Sequence, residues 1–124
     1  MNKKIIYTDQ FGEEHPCTFE LTRYSENGNF AVMMHTYVDG YREPYGVLTV
    51  NLGEKLERYN AYADVNNFPG ITVWLEENGL ATYTGRQRIS GFCIYPEYKF
   101  DIDALMEYVE TDGYSEVQDE QTCD

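Results

Sequence analysis

The residues in this chain best suited to chemistry are carboxylates. Asp101, Asp103, Glu107, Glu110 and Asp112 follow one another near the C-terminal end, and Glu76 and Glu77 make a second patch. Residues 100–124 hold nine acidic side chains and no lysine or arginine, which supplies −9 of a formal net charge of −13. On a helix, side chains three or four apart stand about 5–6 Å from one another. On a strand, alternate side chains stand about 6.5–7 Å apart. Both spacings are close to those of neighbouring phosphates along a nucleic-acid strand. Such a row can occupy the phosphate-binding groove of a basic protein. An ordinary solvated acidic tail is the alternative reading of the same residues.

Twelve tyrosines are the second feature, with Tyr37, Tyr41, Tyr45, Tyr59 and Tyr62 close together in sequence. Tyrosine brings contact area at little entropic cost, so Tyr41 and Tyr45 join the acids as candidate partner-binding residues. Tyrosine serves equally well at the edge of a core. Arg86 and Arg88, flanked by Gly85, Ser90 and Gly91, are the densest basic pair. A glycine- and serine-rich loop with two arginines could hold an anion. It lacks both GxxxxGK[ST] and GxGxxG, so salt bridges to the acidic helix compete with that reading.

Catalysis finds little footing. His15 and His35 are isolated, and no GxSxG, HExxH or Cys-His-Asp pattern occurs. Carboxylate pairs are too common here to single out glycosidase chemistry. The expectation is a protein that is not an enzyme, with no catalytic residues, cofactor or metal. Cys17, Cys93 and Cys123 form an odd set without CxxC, which reads as reduced thiols, Cys93 in the core and Cys123 on the tail. His15 with Cys17 is the only close His/Cys pair and lacks the second half of a zinc pattern.

Charge narrows the partners. Nine basic against 22 acidic residues make direct binding to nucleic acid or an anionic membrane unfavourable, because a phosphate surface demands lysine and arginine. The first residues turn polar at Thr8 without a signal-like apolar stretch, and no run nears the roughly 20 apolar residues of a membrane span. A cytoplasmic protein is expected.

These side chains must be held by a small number of elements. With 124 residues, 42% hydrophobic and 15% aromatic, the chain fits one domain with a real core. Lys4–Thr8 reads as a short strand ahead of a turn at Asp9–Gly12, and Thr18–Tyr24, Phe30–Val38 and Tyr45–Leu52 read as the three strands of an antiparallel meander, with turns at Ser25–Asn29 and Asp39-Gly40. Tyr59–Val65 reads as a fourth strand. Ile71–Leu80 predicts a short helix, stopped by Asn78-Gly79. Thr82–Phe100 reads as one or two strands, with Pro96 ending the ladder or at an edge. Asp101–Val109 predicts a helix capped by Asp101, with Ile102, Leu105, Met106 and Val109 on its apolar face. The expected fold is α+β, an antiparallel sheet of four to six strands with two helices on one face. Residues 1–109 would form the domain and 110–124 a flexible acidic tail.

Three stretches carry a resemblance. They are Pro44–Leu52, Asp64–Pro69, and Thr84–Pro96 leading to Phe100-Asp101, together with Trp74–Leu80. They resemble a family of small, functionally unassigned proteins carried by conjugative elements and phages of gut Firmicutes. The resemblance covers residues 3–108 and is most specific from Ser90-Gly91-Phe92 to Tyr95-Pro96. It implies an accessory role in a mobile element inside a bacterial cell and brings no catalytic residues. By analogy of class, small acidic proteins of mobile elements often inhibit host defence. The expectation is a non-enzymatic, anti-CRISPR-like inhibitor of a defence nuclease, with a Cas effector as the basic partner. The alternative is an accessory domain that binds a basic partner without blocking nucleic acid. An exposed sheet edge would also allow a homodimer by strand addition.

Overall fold

A computed structural model describes residues 3–110. The chain is mostly β, with two four-stranded antiparallel sheets and two short helices. This overturns the α+β expectation of one sheet with two helices on a face. The first sheet is the meander β1 (Ile5–Thr8), β2 (Glu14–Arg23), β3 (Phe30–Val38) and β4 (Tyr41–Val47), paired in that order. The second holds β5 (Thr49–Val50), β6 (Asn60–Ala63), β7 (Ala81–Ser90) and β8 (Cys93–Phe100), in the order β5-β6-β8-β7. Helix α1 (Ile71–Glu77) precedes β7, and α2 (Ile102–Met106) follows β8.

The split between the sheets falls inside the expected strand Tyr45–Leu52. Leu48 is fully buried, its N–H donates to the Val32 carbonyl of β3 (2.9 Å), and its own carbonyl accepts from Asp64 N just after β6 (2.9 Å). One residue therefore joins both ladders, because its side chain fills the core while its two peptide groups face opposite sheets. Alternation places Phe19, Leu21, Val32 and Met34 inward from the first sheet. Leu75, Leu80, Tyr98, Phe100 and Leu105 complete the core from the helices and the second sheet.

The second predicted helix is shorter than its apolar pattern. Asp101 does cap it, accepting from Ala104 N (3.1 Å). After Met106, however, the chain makes one turn, with Tyr108 N donating to Leu105 O (3.0 Å), and then bridges to β2, where Tyr108 O accepts from Phe19 N (2.9 Å). An open backbone donor on β2 outcompetes one more helical turn. Pro96 lies in β8 opposite Gln87, one residue before β6 begins pairing at Glu97. It thus sits where β8 has a neighbour on one side only, as a residue without an N–H requires. Cys93 is half-exposed near the end of the β7–β8 arm, not in the core; the buried thiol is Cys17, pushed up to about 11 by burial. No helix among the described residues is long and apolar enough to cross a membrane.

Candidate functional site

A cleft of roughly 1230 Å³ opens between the two sheets. Its floor is built by a bulge in β4. His35 pairs with Pro44 and Met34 with Gly46, so Tyr45 is an extra residue whose ring is turned across the sheet. That ring meets Tyr7 (5.9 Å between centroids), His15 (4.8 Å) and Phe68 (6.1 Å). Phe68 approaches so closely that a Cβ on Gly46 would lie 2.5 Å from its Cζ, which fixes glycine there. Burial raises the hydroxyls of Tyr7, Tyr24 and Tyr45 above the ordinary tyrosine value, so the floor stays neutral.

Three carboxylates line the walls: Asp9, Glu26 and Asp64. Asp9 Oδ1 accepts from the N–H groups of Phe11 and Glu13 (both 2.9 Å), and Oδ2 lies 2.9 Å from His15 Nε2. The His15 bond first, then the Glu13 N–H, holds Asp9 below its usual range. Asp64 is 6% exposed and accepts from Asn67 N (3.1 Å) and Nδ2 (2.8 Å). No lysine, arginine or histidine lines the cleft among the described residues. Sequence reasoning missed this site, since its walls come from four separate loops. The one readable signal was the glycine beside Tyr45.

The first sheet also presents an acidic end. A meander brings the β1–β2 and β3–β4 turns to the same edge of the sheet, about two strand spacings or roughly 10 Å apart. Phe11 (86% exposed) and Tyr41 (75%) stand there among Glu13, Glu14, Asp39 and Glu43. None of those four acids forms an ion pair among the described residues, and the nearby Arg42 reaches Glu110 (3.8 Å). Asp9, Glu13 and His15 bring three ligand-type atoms within 4.8 Å of one another, but the Asp9–His15 bond already explains that closeness. Cys17 is turned into the core and donates to His15 O (3.3 Å), so the His15/Cys17 pair does not converge on one point.

The sequence-predicted residues separate. Tyr41 belongs to the acidic end and Tyr45 to the cleft. Asp101 caps α2, and Asp103 lies exposed in its first turn. Glu107 pairs with Lys3 (2.9 Å). Glu110 accepts from Thr18 Oγ1 (3.1 Å) and faces Arg42. Glu76 accepts from the Tyr98 hydroxyl, while Glu77 is exposed. Asp112, like the remainder of the 111–124 segment and Cys123, lies outside the described residues. Arg86 and Arg88 bind Glu97 and Glu54, not the acidic helix. His35 and Cys93 lie on different sheets, and His35 faces Glu20 (3.6 Å).

The fold and the site define a small two-sheet β domain with an acidic, aromatic cleft. The chain belongs to the family described as Domain of unknown function (DUF4313), whose model matches residues 18–120. The expected membership of a functionally unassigned family is thereby shown. No curated protein and no solved structure matches the chain.

Proposed function

We propose that this protein is a non-enzymatic inhibitor that docks on the basic, phosphate-binding groove of a nucleic-acid-handling partner, a defence nuclease such as a Cas effector, inside a bacterial cell. The observation that carries the reading is the acidic end of the first sheet. Glu13, Glu14, Asp39 and Glu43 surround exposed Phe11 and Tyr41, and none of the four forms an ion pair among the described residues. Carboxylates would steer the encounter and set register, and the two aromatic rings would supply the desolvated centre. Asp103 and Glu77 stay exposed, whereas Glu107 and Glu110 are engaged by Lys3 and by Arg42 with Thr18. The resemblance to proteins of mobile elements supports the choice of a defence nuclease.

The test is a panel of purified nucleases assayed with and without this protein over a salt series. Inhibition relieved by excess DNA, and weakened at least tenfold by Asp39→Lys with Glu43→Lys in a folded variant, supports docking on the groove. Inhibition unchanged by that pair rejects the role of this end. A second reading, an accessory domain that binds without blocking nucleic acid, is favoured by the β7–β8 arm, where Ile89, Phe92 and Ile94 are exposed together. A partner captured equally well with DNA bound would select it.

A further inference from the structure

The cleft between the sheets combines two features that recognise organic cations. Its floor presents aromatic faces, and its walls present carboxylates without a single basic side chain among the described residues. The Lys55 ammonium beside the rim is held by the Asn27 carbonyl (3.1 Å) and stays out of the lining. A cation entering there would meet negative ring faces from Tyr45 and Phe68 and acceptors from Asp9, Glu26 and Asp64. Asp64 has lone pairs beyond the two bonds from Asn67.

We infer that this cleft is a binding site for guanidinium-bearing side chains on an extended basic segment of a partner protein. Size argues for a segment over a small free cation. The roughly 1230 Å³ cleft exceeds the roughly 300–1000 Å³ of pockets that enclose one small ligand. Arginine suits it better than lysine, because a planar guanidinium can stack on a ring while donating two parallel bonds to a carboxylate. The inference deepens the reading of a basic partner, but locates recognition in the cleft instead of at the open end of the first sheet.

The experiment uses the full chain and a short extended peptide with two arginines in an otherwise neutral sequence, with no nuclease present. Calorimetry and the ring signals of Tyr45 and Phe68 are followed together. Binding is expected to shift both rings and to fall at least tenfold when both arginines are replaced by citrulline. Glu26→Gln, on an exposed turn, should weaken binding severalfold while leaving the fold intact. Equal binding by the citrulline peptide, no binding, or a shift confined to Tyr41 would each overturn the assignment. Spermidine binding as tightly as the arginine peptide would overturn the peptide as ligand and leave a polyamine site. Failure here leaves nuclease docking by the first sheet standing, and failure of that docking leaves this result standing.

Discussion

The cleft and the smaller cavity under the β7–β8 arm both gather carboxylates and tyrosines, yet their electrostatics are opposite. The smaller one, about 440 Å³, includes Glu54, Glu97, Tyr62, Arg86 and Arg88 in its lining. Arg86 donates from Nε (3.0 Å) and a terminal nitrogen (2.7 Å) to the two oxygens of Glu97, and Asn60 Nδ2 adds a bond of 2.6 Å. Arg88 reaches Glu54 (2.7 Å), which also accepts from the Tyr62 hydroxyl. In the cleft, Asp9 and Asp64 are instead held by backbone N–H groups, His15 and an amide, and Glu26 has no bonded partner among the described residues. With nine cations for 22 acids, where the cations go decides which acidic surface remains available. Arg86 ties β7 to β8, Arg88 ties the arm to the loop between β5 and β6, and the cleft remains anionic.

Removing a carboxylate from the matched region should have the largest effect. Glu97 is almost wholly buried, and Glu97→Ala would leave buried Asn60 and one face of Arg86 without an acceptor. Urea denaturation should show a loss of about 3 kcal/mol, at the low end for a broken buried pair because Arg86 remains solvated. In the cleft, no single carboxylate should matter as much, and packing should dominate. Gly46→Ala should cost about 2 kcal/mol by driving a methyl group against Phe68. Adding Phe68→Leu should recover more than half of that cost. A Gly46→Ala variant as stable as the wild type would mean that the cleft floor is loosely packed, which would reverse the contrast.

The meander was readable because its signals are local. Alternation over Thr18–Tyr24 and the Asn27-Gly28 and Asp39-Gly40 turns each act within a few residues. The change of sheet at Leu48 was not readable, since Val47-Leu48-Thr49-Val50 is a continuous strand-like run and only its long-range partners divide it. Helix α2 stops early for a similar reason, because β2 offers Tyr108 a donor that periodicity cannot reveal. The arm lies between these cases. Gly91 has φ +61° and Phe92 does not, the pattern of a two-residue hairpin turn with glycine first. Reading that turn would have paired Arg88 with Tyr95 and set the Thr84–Arg86 bulge opposite Glu97, so the arginine partners were within reach. The cleft was not, because its carboxylates lie far apart in sequence.

A smaller effect should appear with pH. Arg86 foremost, then Asn60, holds Glu97 below its ordinary 4.5, with burial opposing. A depressed carboxylate contributes stability that is present above its unfolded value and is lost as pH falls through the folded one. Thermal unfolding should therefore lose stability below about pH 4.5, and Glu97→Gln should flatten that loss. Glu54, held below the same 4.5 by the Tyr62 hydroxyl and then Arg88, and Asp9, held below 3.8, should carry the slope that survives in Glu97→Gln. A slope unchanged by Glu97→Gln would show that the matched region does not carry the acid response.

The smallest stability effect belongs to the tip of the arm. Phe92 is 107% exposed, so Phe92→Ser removes no packing and should leave unfolding within about 0.5 kcal/mol of the wild type. The neighbouring Gly91→Ala offers an internal control, since its φ of +61° disfavours any side chain and should destabilise the turn. An apolar ring held in water by a tight turn contributes nothing to the matched arginine network beneath it. Under the second reading of the function, the ring serves as a contact for the partner. Phe92→Ser with Ile89→Ser should abolish capture of a partner that uses the arm and leave arginine-peptide binding in the cleft unchanged. If the double substitution weakens cleft binding instead, the arm and the cleft act as one surface, through Ser90, which the cleft shares with the arm.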